Sequence, residues 1–368
     1  MAFDSGAVSF TMLDLPRTFP DGWADRFAAL RAPSPDTVGD AKVFGWVTGR
    51  HLLDSDITPD SAQFAGWIRL SWREAVRRVP PALLRAECRM AELSQMAAEG
   101  KSFLPAKVRR EIREDTAARL LPQMPPQLKA VHFVHRPSSH HLFVSALSDA
   151  AVDAFRSALR KTLDFAGSPA DPENLAMDIA AVDIASLPGS SFSPEMPDAP
   201  MDHFPGREFL TWLWYKSDSE NGTVGLESGQ TLSVLFEGPL TFAHEGNGAF
   251  LTVLKKGTPV HSAEAKTCLL SGKKLVSARI TFALDDTRVW TFNLAADRFA
   301  FRSMRLPKSE GFLDAPSRFQ ERMIFLDEFR DIFLDLYRLY LSVRTNPRRW
   351  PAELQSIRTW VASRPDNR

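Results

Sequence analysis

Apolar and polar positions are most clearly patterned over residues 255–307, KKGTPVHSAEAKTCLLSGKKLVSARITFALDDTRVWTFNLAADRFAFRSMRLP, where they predict one helix followed by three strands. The helix spans about His261 to Leu270. Ser262 is its N-cap, Glu264 sits in the first turn, and Gly272 with Lys273 and Lys274 lies just past its C-terminus. Beyond it, Ile280, Phe282 and Leu284 alternate with polar residues, Asp285-Asp286-Thr287 turns the chain, and Val289, Phe292 and Leu294 begin the return strand. This is a hairpin on a helix.

The rest of the chain is organised around that unit. Strands are predicted over Val8 to Leu15, Lys42 to Thr48 and Phe64 to Trp72, with a helix from roughly Gly22 to Arg31. Trp67, Arg69, Ser71 and Arg73 fall on one face of the third strand and Ile68, Leu70 and Trp72 on the other, so one face reads as polar and basic. Pro80-Pro81 opens a helix to about Ala98, stopped by Gly100. A second helix runs from Pro105 to about Leu120, and the pair forms a helical hairpin, a projecting arm over 80–124. Strands at 130–135 and 141–147 lead to a helix capped by Ser148 and running to about Phe165. Five prolines in 186–205 mark an extended connection. Arg207 to Tyr215 is apolar on every side, which in a helix means burial all round. Gly222 to Glu245 alternates around a Ser228-Gly229 turn, and Ala249 to Leu254 adds a strand. A long helix, about Pro316 to Arg344, repeats Leu326, Phe329, Phe333, Leu336, Tyr340 and Val343 as a seam for a subunit partner or for the chain itself; a shorter helix covers Ala352 to Ala362. The fold class is α+β, with mixed or antiparallel sheets and packed helices. The expected modules are 1–79 with 125–185, the arm 80–124, the connection 186–205, a second α/β module 206–307, and C-terminal helices 308–368.

Composition narrows the function. A length of 368 residues calls for two or three packed modules. No run approaches the ~20 apolar residues of a membrane helix, and the N-terminus lacks a basic region before its first apolar residues, so a cytosolic protein without a membrane partner is expected. Cys88 and Cys268 sit among apolar neighbours in predicted helices and read as small hydrophobes in a reducing compartment. Forty-five basic and forty-five acidic residues cancel, which excludes a simple polycation. Any surface for nucleic acid must therefore come from segregated charge.

Catalytic constellations are missing from the pattern. There is no GxxxxGK[ST], GxGxxG, GxSxG or paired CxxC. Among the histidines His132, His135, His140 and His141, the first two project to opposite faces of a strand, so a shared metal is not expected. Asp285-Asp286 is the one adjacent acidic pair in a strand context, and at a hairpin tip its side chains diverge into water. No catalytic residue, metal or cofactor is expected, and a metal-dependent exonuclease stays the alternative, beside a protein-binding scaffold that uses the C-terminal seam.

The lysine pair, the short helix ending in SGKK and the hairpin closing on RLP resemble the RdgC family of recombination-associated DNA-binding proteins. The resemblance extends to FGWVTGRHLLD at 44–54, to LLRAECRMAEL, LPAKVRREIRE and LLP between 83 and 122, and to REFLTWLWY at 207–215. It implies a ring-shaped homodimer that encircles double-stranded DNA without reading sequence, limits recombinase access, and resides in the cytoplasm with the nucleoid. The candidate DNA-binding residues are Lys101, Lys107, Arg109, Arg110, Arg113, Lys255, Lys256, Lys273 and Lys274. Lys255-Lys256 matches the position where the family keeps basic residues facing the ring opening, and Lys101 falls between its two arm helices. From the residues alone, Glu111 and Glu114 stand four places after Lys107 and Arg110 and can pair with them, and Lys273 and Lys274 can serve as helix caps. Arg302, Arg305 and Lys308 form a further cluster. After LLP this chain has Gln123-Met124-Pro125-Pro126 where the family has an aromatic. Asp327, Glu328, Asp331 and Asp335 must lie away from any DNA channel.

Overall fold

Ser262 accepts a hydrogen bond from the Ala265 backbone N–H at 3.1 Å and so starts helix α8 (Ala263–Leu270). Gly272, at φ 80°, passes the chain directly into strand β11 (Lys273–Ala283), followed by β12 (Val289–Ala295) and β13 (Ala300–Arg305). Asp285 fixes the β11–β12 turn by accepting from the backbone N–H groups of Thr287 and Arg288 at 2.9 and 2.8 Å. The helix and three strands predicted for this stretch are present, with β11 longer at its start than the alternation implied.

These elements belong to a computed structural model that describes residues 3–198, 203–244, 251–257, 259–308, 311 and 314–363. Before them in the chain come β1 (Val8–Asp14), α1 (Trp23–Ala29), β2 (Val43–Thr48), α2 (Pro59–Ala62), β3 (Gln63–Phe64), β4 (Trp67–Val76), α3 (Pro81–Glu99) and α4 (Ala106–Leu120). Next are β5 (Gln127–His135), β6 (His141–Val144), α5 (Asp149–Leu163), β7 (Ser168–Pro169), α6 (Pro172–Ala180), α7 (Pro205–Ser219), β8 (Thr223–Gly225), β9 (Thr231–His244) and β10 (Leu251–Leu254). After β13 the chain ends in α9 (Ala315–Arg344) and α10 (Arg349–Ala362). Glu245 and Ala249, the expected ends of two strands, lie outside the described residues.

The strands form one sheet in the order β10-β9-β11-β12-β13-β1-β6-β5-β4-β2, and every pairing between named strands is antiparallel. The fold is α+β. β1 joins the two halves, pairing with β13 on one edge and β6 on the other. Helices α7, α8, α9 and α10 cover one face of the β9–β13 half, and α1 and α5 cover the other half's core around Trp46, Phe133 and Phe155. The α9 seam is intramolecular: Phe329 and Phe333 each meet the Phe301 ring edge-on at 5.0 Å, and Leu326, Leu336 and Tyr340 are fully buried. Helix α7 is buried on all sides, with Phe209 against Phe333 and Tyr337. Each such aromatic contributes on the order of 4–6 kcal/mol of transfer free energy before entropy is set against it.

Two expectations are corrected. The face of β4 that reads as polar and basic is covered: Arg73 is 1% exposed and donates to the carbonyls of Leu52 and Pro33, Ser71 is buried, and Arg69 pairs with Asp4 at 2.7 Å over the Phe64 ring. The segment after β2 folds back over it. Helix α6 is additional to the predicted elements, and Asp171, whose carboxylate accepts from Asn174 N–H at 2.9 Å, caps it ahead of Pro172.

Candidate nucleic-acid interface

Gly100 adopts the left-handed conformation (φ 65°) that ends α3, and α4 returns antiparallel to it. The two helices pack mainly on each other, so the hairpin stands out as an arm. Three of its candidate cations already have partners, Lys101 with Glu99 at 2.8 Å, Lys107 with Glu111 at 4.0 Å and Arg110 with Glu114 at 2.8 Å, and Arg119 of α4 pairs with Glu87 at 2.7 Å. Arg109 and Arg113 are exposed and have no ion-pair partner among the described residues. The arm also exposes apolar side chains, and Leu83, Ala86, Met90, Leu93 and Ala97 follow one another at alternating three- and four-residue spacing along α3. Met90 is 62% exposed, and Phe103 at the tip is 74% exposed.

Lys273 and Lys274 do not form a surface pair. Their strand begins at once after Gly272, and alternation sends consecutive side chains to opposite faces. Lys273 donates to the Thr252 hydroxyl at 2.7 Å. Lys274 is 1% exposed and meets Glu208 Oε1 at 3.3 Å. Glu208 also accepts from the Ser190 backbone N–H at 2.7 Å, from Arg344 Nε at 2.8 Å and from the Tyr340 hydroxyl at 3.2 Å. Burial alone pushes the Glu208 carboxyl up, but Lys274, His203 and Arg344 outweigh it and hold the group well below the usual carboxylate range. This cluster ties α7, α9, β11 and the proline-rich connection together. Lys274 is therefore a structural cation with no surface on which to meet a phosphate.

The register assembles a different basic surface. Directly paired residues of an antiparallel sheet share a face, so Glu237, Arg279, Asn293 and Arg302 form one cross-strand row, and Leu235, Thr281, Thr291 and Arg305 the next. Both rows lie on the side away from α7 and α9. Arg279 pairs with Glu237 at 3.0 Å, and the Thr281 and Thr291 hydroxyls meet at 2.9 Å. Arg302 and Arg305 are exposed, and their side chains have no ion-pair partner among the described residues. β10 pairs Leu254 with Leu240, so Lys255 and Lys256 leave that strand alongside Pro239 and Gly238, next to the first row. Both are exposed and likewise lack an ion-pair partner among the described residues. The outcome is a solvent-facing band of threonine, asparagine, arginine and lysine that also carries Leu235 and the paired Glu237. Arg279 joins this band only through the register, which no local pattern in the sequence reveals.

The candidate residues thus divide into two clusters. The arm leaves the sheet between β4 and β5, and Lys255-Lys256 follows β10 at the opposite end, eight strands along. At ~4.8 Å per strand the two clusters are roughly 38 Å apart along the sheet, about one turn of duplex. The α9 carboxylates lie on the helix-covered side: Asp327 pairs with Arg136 at 2.7 Å, Glu328 with Arg288 at 2.9 Å, Asp331 with Arg330 at 3.2 Å and Asp335 with Arg338 at 2.6 Å. His132 meets the Ser71 hydroxyl at 2.7 Å, and His141 meets Asp327 at 3.0 Å. Among the described residues no group of three or more His, Cys, Asp or Glu is placed to hold a metal ion, and no helix is long and apolar enough to cross a membrane.

Residues 31–182, from α1's end through the arm to α6, match the family model described as "Putative exonuclease, RdgC". No curated protein matches the chain. The family match carries a recombination-associated, DNA-related function. Over residues 31–182 the sequence pattern is that of the RdgC family.

Proposed function

We propose that this chain binds double-stranded DNA through its phosphates, without reading sequence, as a homodimer closed around the duplex, and that its occupancy limits recombinase access. The observation that carries this reading is the open sheet face, where Lys255, Lys256, Arg302 and Arg305 present unpaired charge beside Thr281, Thr291, Asn293 and the Arg279–Glu237 pair. Such groups hold phosphates and carry no base readout. Segregation of charge between this face and the α9 side answers the zero net charge of the whole chain.

The sheet has a span that fits a ring. Its ten-strand path makes nine steps of ~4.8 Å, an arc of about 43 Å, so two subunits closed end to end would bound a hole of roughly 27 Å. The exposed heptad-spaced stripe of α3 gives the arm a self-complementary seam for a second copy. The test is Arg302→Gln with Arg305→Gln in full-length protein. Loss of two phosphate contacts from each of two subunits should reduce the slope of log K against log salt by about 3.6 on duplex DNA. An unchanged slope would remove the sheet face from the interface.

The family description favours a second reading, an exonuclease. Magnesium-dependent shortening of an end-labelled duplex by purified protein would establish it, and an intact label over a time course with magnesium would favour binding alone.

A further inference from the structure

Between the arm helices runs a groove with a volume of about 810 Å³. Its walls are two stripes that face each other, one from α3 carrying Arg85 and Arg89 and one from α4 carrying Arg109, Arg110 and Arg113. Of the five guanidinium groups, Arg89 pairs with Glu92 at 3.3 Å and Arg110 with Glu114 at 2.8 Å, which leaves Arg85, Arg109 and Arg113 without a carboxylate partner among the described residues.

The groove face breaks a rule that the outer face of α4 obeys. There, charges four residues apart have opposite sign, as in Lys107 with Glu111, and Arg110 at the edge of the groove likewise pairs with Glu114. On the groove face they have the same sign: Arg85 precedes Arg89, and Arg109 precedes Arg113, by four residues. Like charges at that spacing destabilise a helix, and two such pairs across one cleft add to the repulsion. An anion in the space between them relieves that repulsion. Leu84 and Cys88 also line the groove, and the guanidinium groups of Arg109 and Arg113 make no ion pair among the described residues.

We propose that this groove seats one phosphodiester strand, with Arg109 and Arg113 on neighbouring phosphates and Arg85 on one farther along the strand. Packed helices have axes ~8–10 Å apart, so the cleft above them admits a single backbone and not the body of a duplex. Arg109 and Arg113 are separated by a rise of about 6 Å, the order of the spacing between phosphates in an extended strand. The seated strand is either a free single strand or one backbone of a duplex lying across the arm. The inference rests on the reading of the chain as a DNA-binding protein, and it adds a site remote from the sheet face.

The experiment uses the full-length chain, a labelled short oligothymidylate and a ~30-base-pair duplex, comparing wild type, Arg109→Gln with Arg113→Gln, and a control at an exposed lysine of α5, Lys161→Gln. Circular dichroism confirms that all three fold. Binding is followed by anisotropy against salt, and occupancy of the groove by the rate at which N-ethylmaleimide alkylates Cys88, with Cys268 as the internal control. The expected result is that the oligothymidylate slows Cys88 alkylation several-fold in wild type and in Lys161→Gln. In the double variant that protection is lost and the single-strand salt slope falls by about 1.4. Protection by the duplex as well assigns the seated strand to duplex DNA; protection by oligothymidylate alone assigns it to free single strands. Duplex binding with Cys88 unprotected by either ligand overturns the groove site and leaves the sheet-face reading standing. Absence of any DNA binding removes both.

Discussion

Lys274→Met separates a structural cation from a DNA contact. The substitution keeps the length of the side chain and removes the charge that faces Glu208 Oε1 at 3.3 Å. Both partners are buried to within 1% of completeness, so water cannot screen the loss. Breaking a buried pair costs ~3–5 kcal/mol. Arg344 remains at 2.8 Å from Oε2 and the Ser190 N–H at 2.7 Å from Oε1, which places the cost at the lower end, about 3 kcal/mol. With ~2.1 cal/mol/K of unfolding entropy per residue, a chain of this size loses about 4 °C in Tm. Thermal unfolding by circular dichroism and duplex anisotropy in the same buffer give the two readouts. The expected result is a lower Tm with unchanged duplex affinity at 25 °C, and Lys256→Met should do the reverse. An unchanged Tm with weakened duplex binding would refute the buried-pair account of Lys274.

Three further outcomes follow from individual sites. His135 is fully buried against Phe19, and burial lowers its pKa from 6.5 to about 4. The unfolded chain therefore takes up the proton first. This contribution to stability is complete above pH 6.5 and is lost as pH falls toward about 4, by up to roughly 3 kcal/mol. His135→Phe should flatten that acid limb in a series of urea midpoints, and an unaltered limb would contradict the neutral buried imidazole. A Cβ at Gly206 would lie 2.0 Å from the Ala296 carbonyl oxygen, so Gly206→Ala should cost at least ~1–3 kcal/mol by overpacking the first turn of α7; a urea midpoint equal to wild type would contradict that seating. Met90→Lys with Leu93→Lys should lower the dimer fraction in sedimentation while leaving the circular dichroism spectrum intact, and a dimer fraction unaffected by both charges would exclude the α3 stripe from self-association.

Local signals in the sequence locate the elements well, and their partners poorly. Ser262, Ser148, Gly100 and the paired prolines act through neighbouring backbone groups, so the helices they bound are legible. Asp171-Pro172 is an equally local start signal, and α6 was open to the same reasoning. The α7 apolar run implies burial whatever covers it. The α9 seam has the spacing of a packed helix, but spacing alone does not choose between another subunit and the sheet that Phe329 and Phe333 meet. The β4 face shows the limit of period-two reasoning. Which residues share a face is correct, yet a segment some twenty residues earlier covers that face and buries Arg73. The β1–β13 pairing joins residues nearly three hundred positions apart, and no local pattern encodes it. The band from Lys255 to Arg305 depends on such registers. Lys274 fails as a surface candidate for a related reason: the reading as a helix cap left out the strand that begins right after Gly272.

The most direct test of the account is the anisotropy of a labelled ~30-base-pair duplex against full-length protein without magnesium, at several salt concentrations and with two unrelated sequences. A dimer neutralising ~6–10 phosphates should bind both sequences equally, with a slope of log K against log salt of about −5 or steeper and a loss of ~10³–10⁵-fold between 50 and 200 mM salt. Failure to bind at low salt, or affinity that differs between the two sequences and ignores salt, would contradict it.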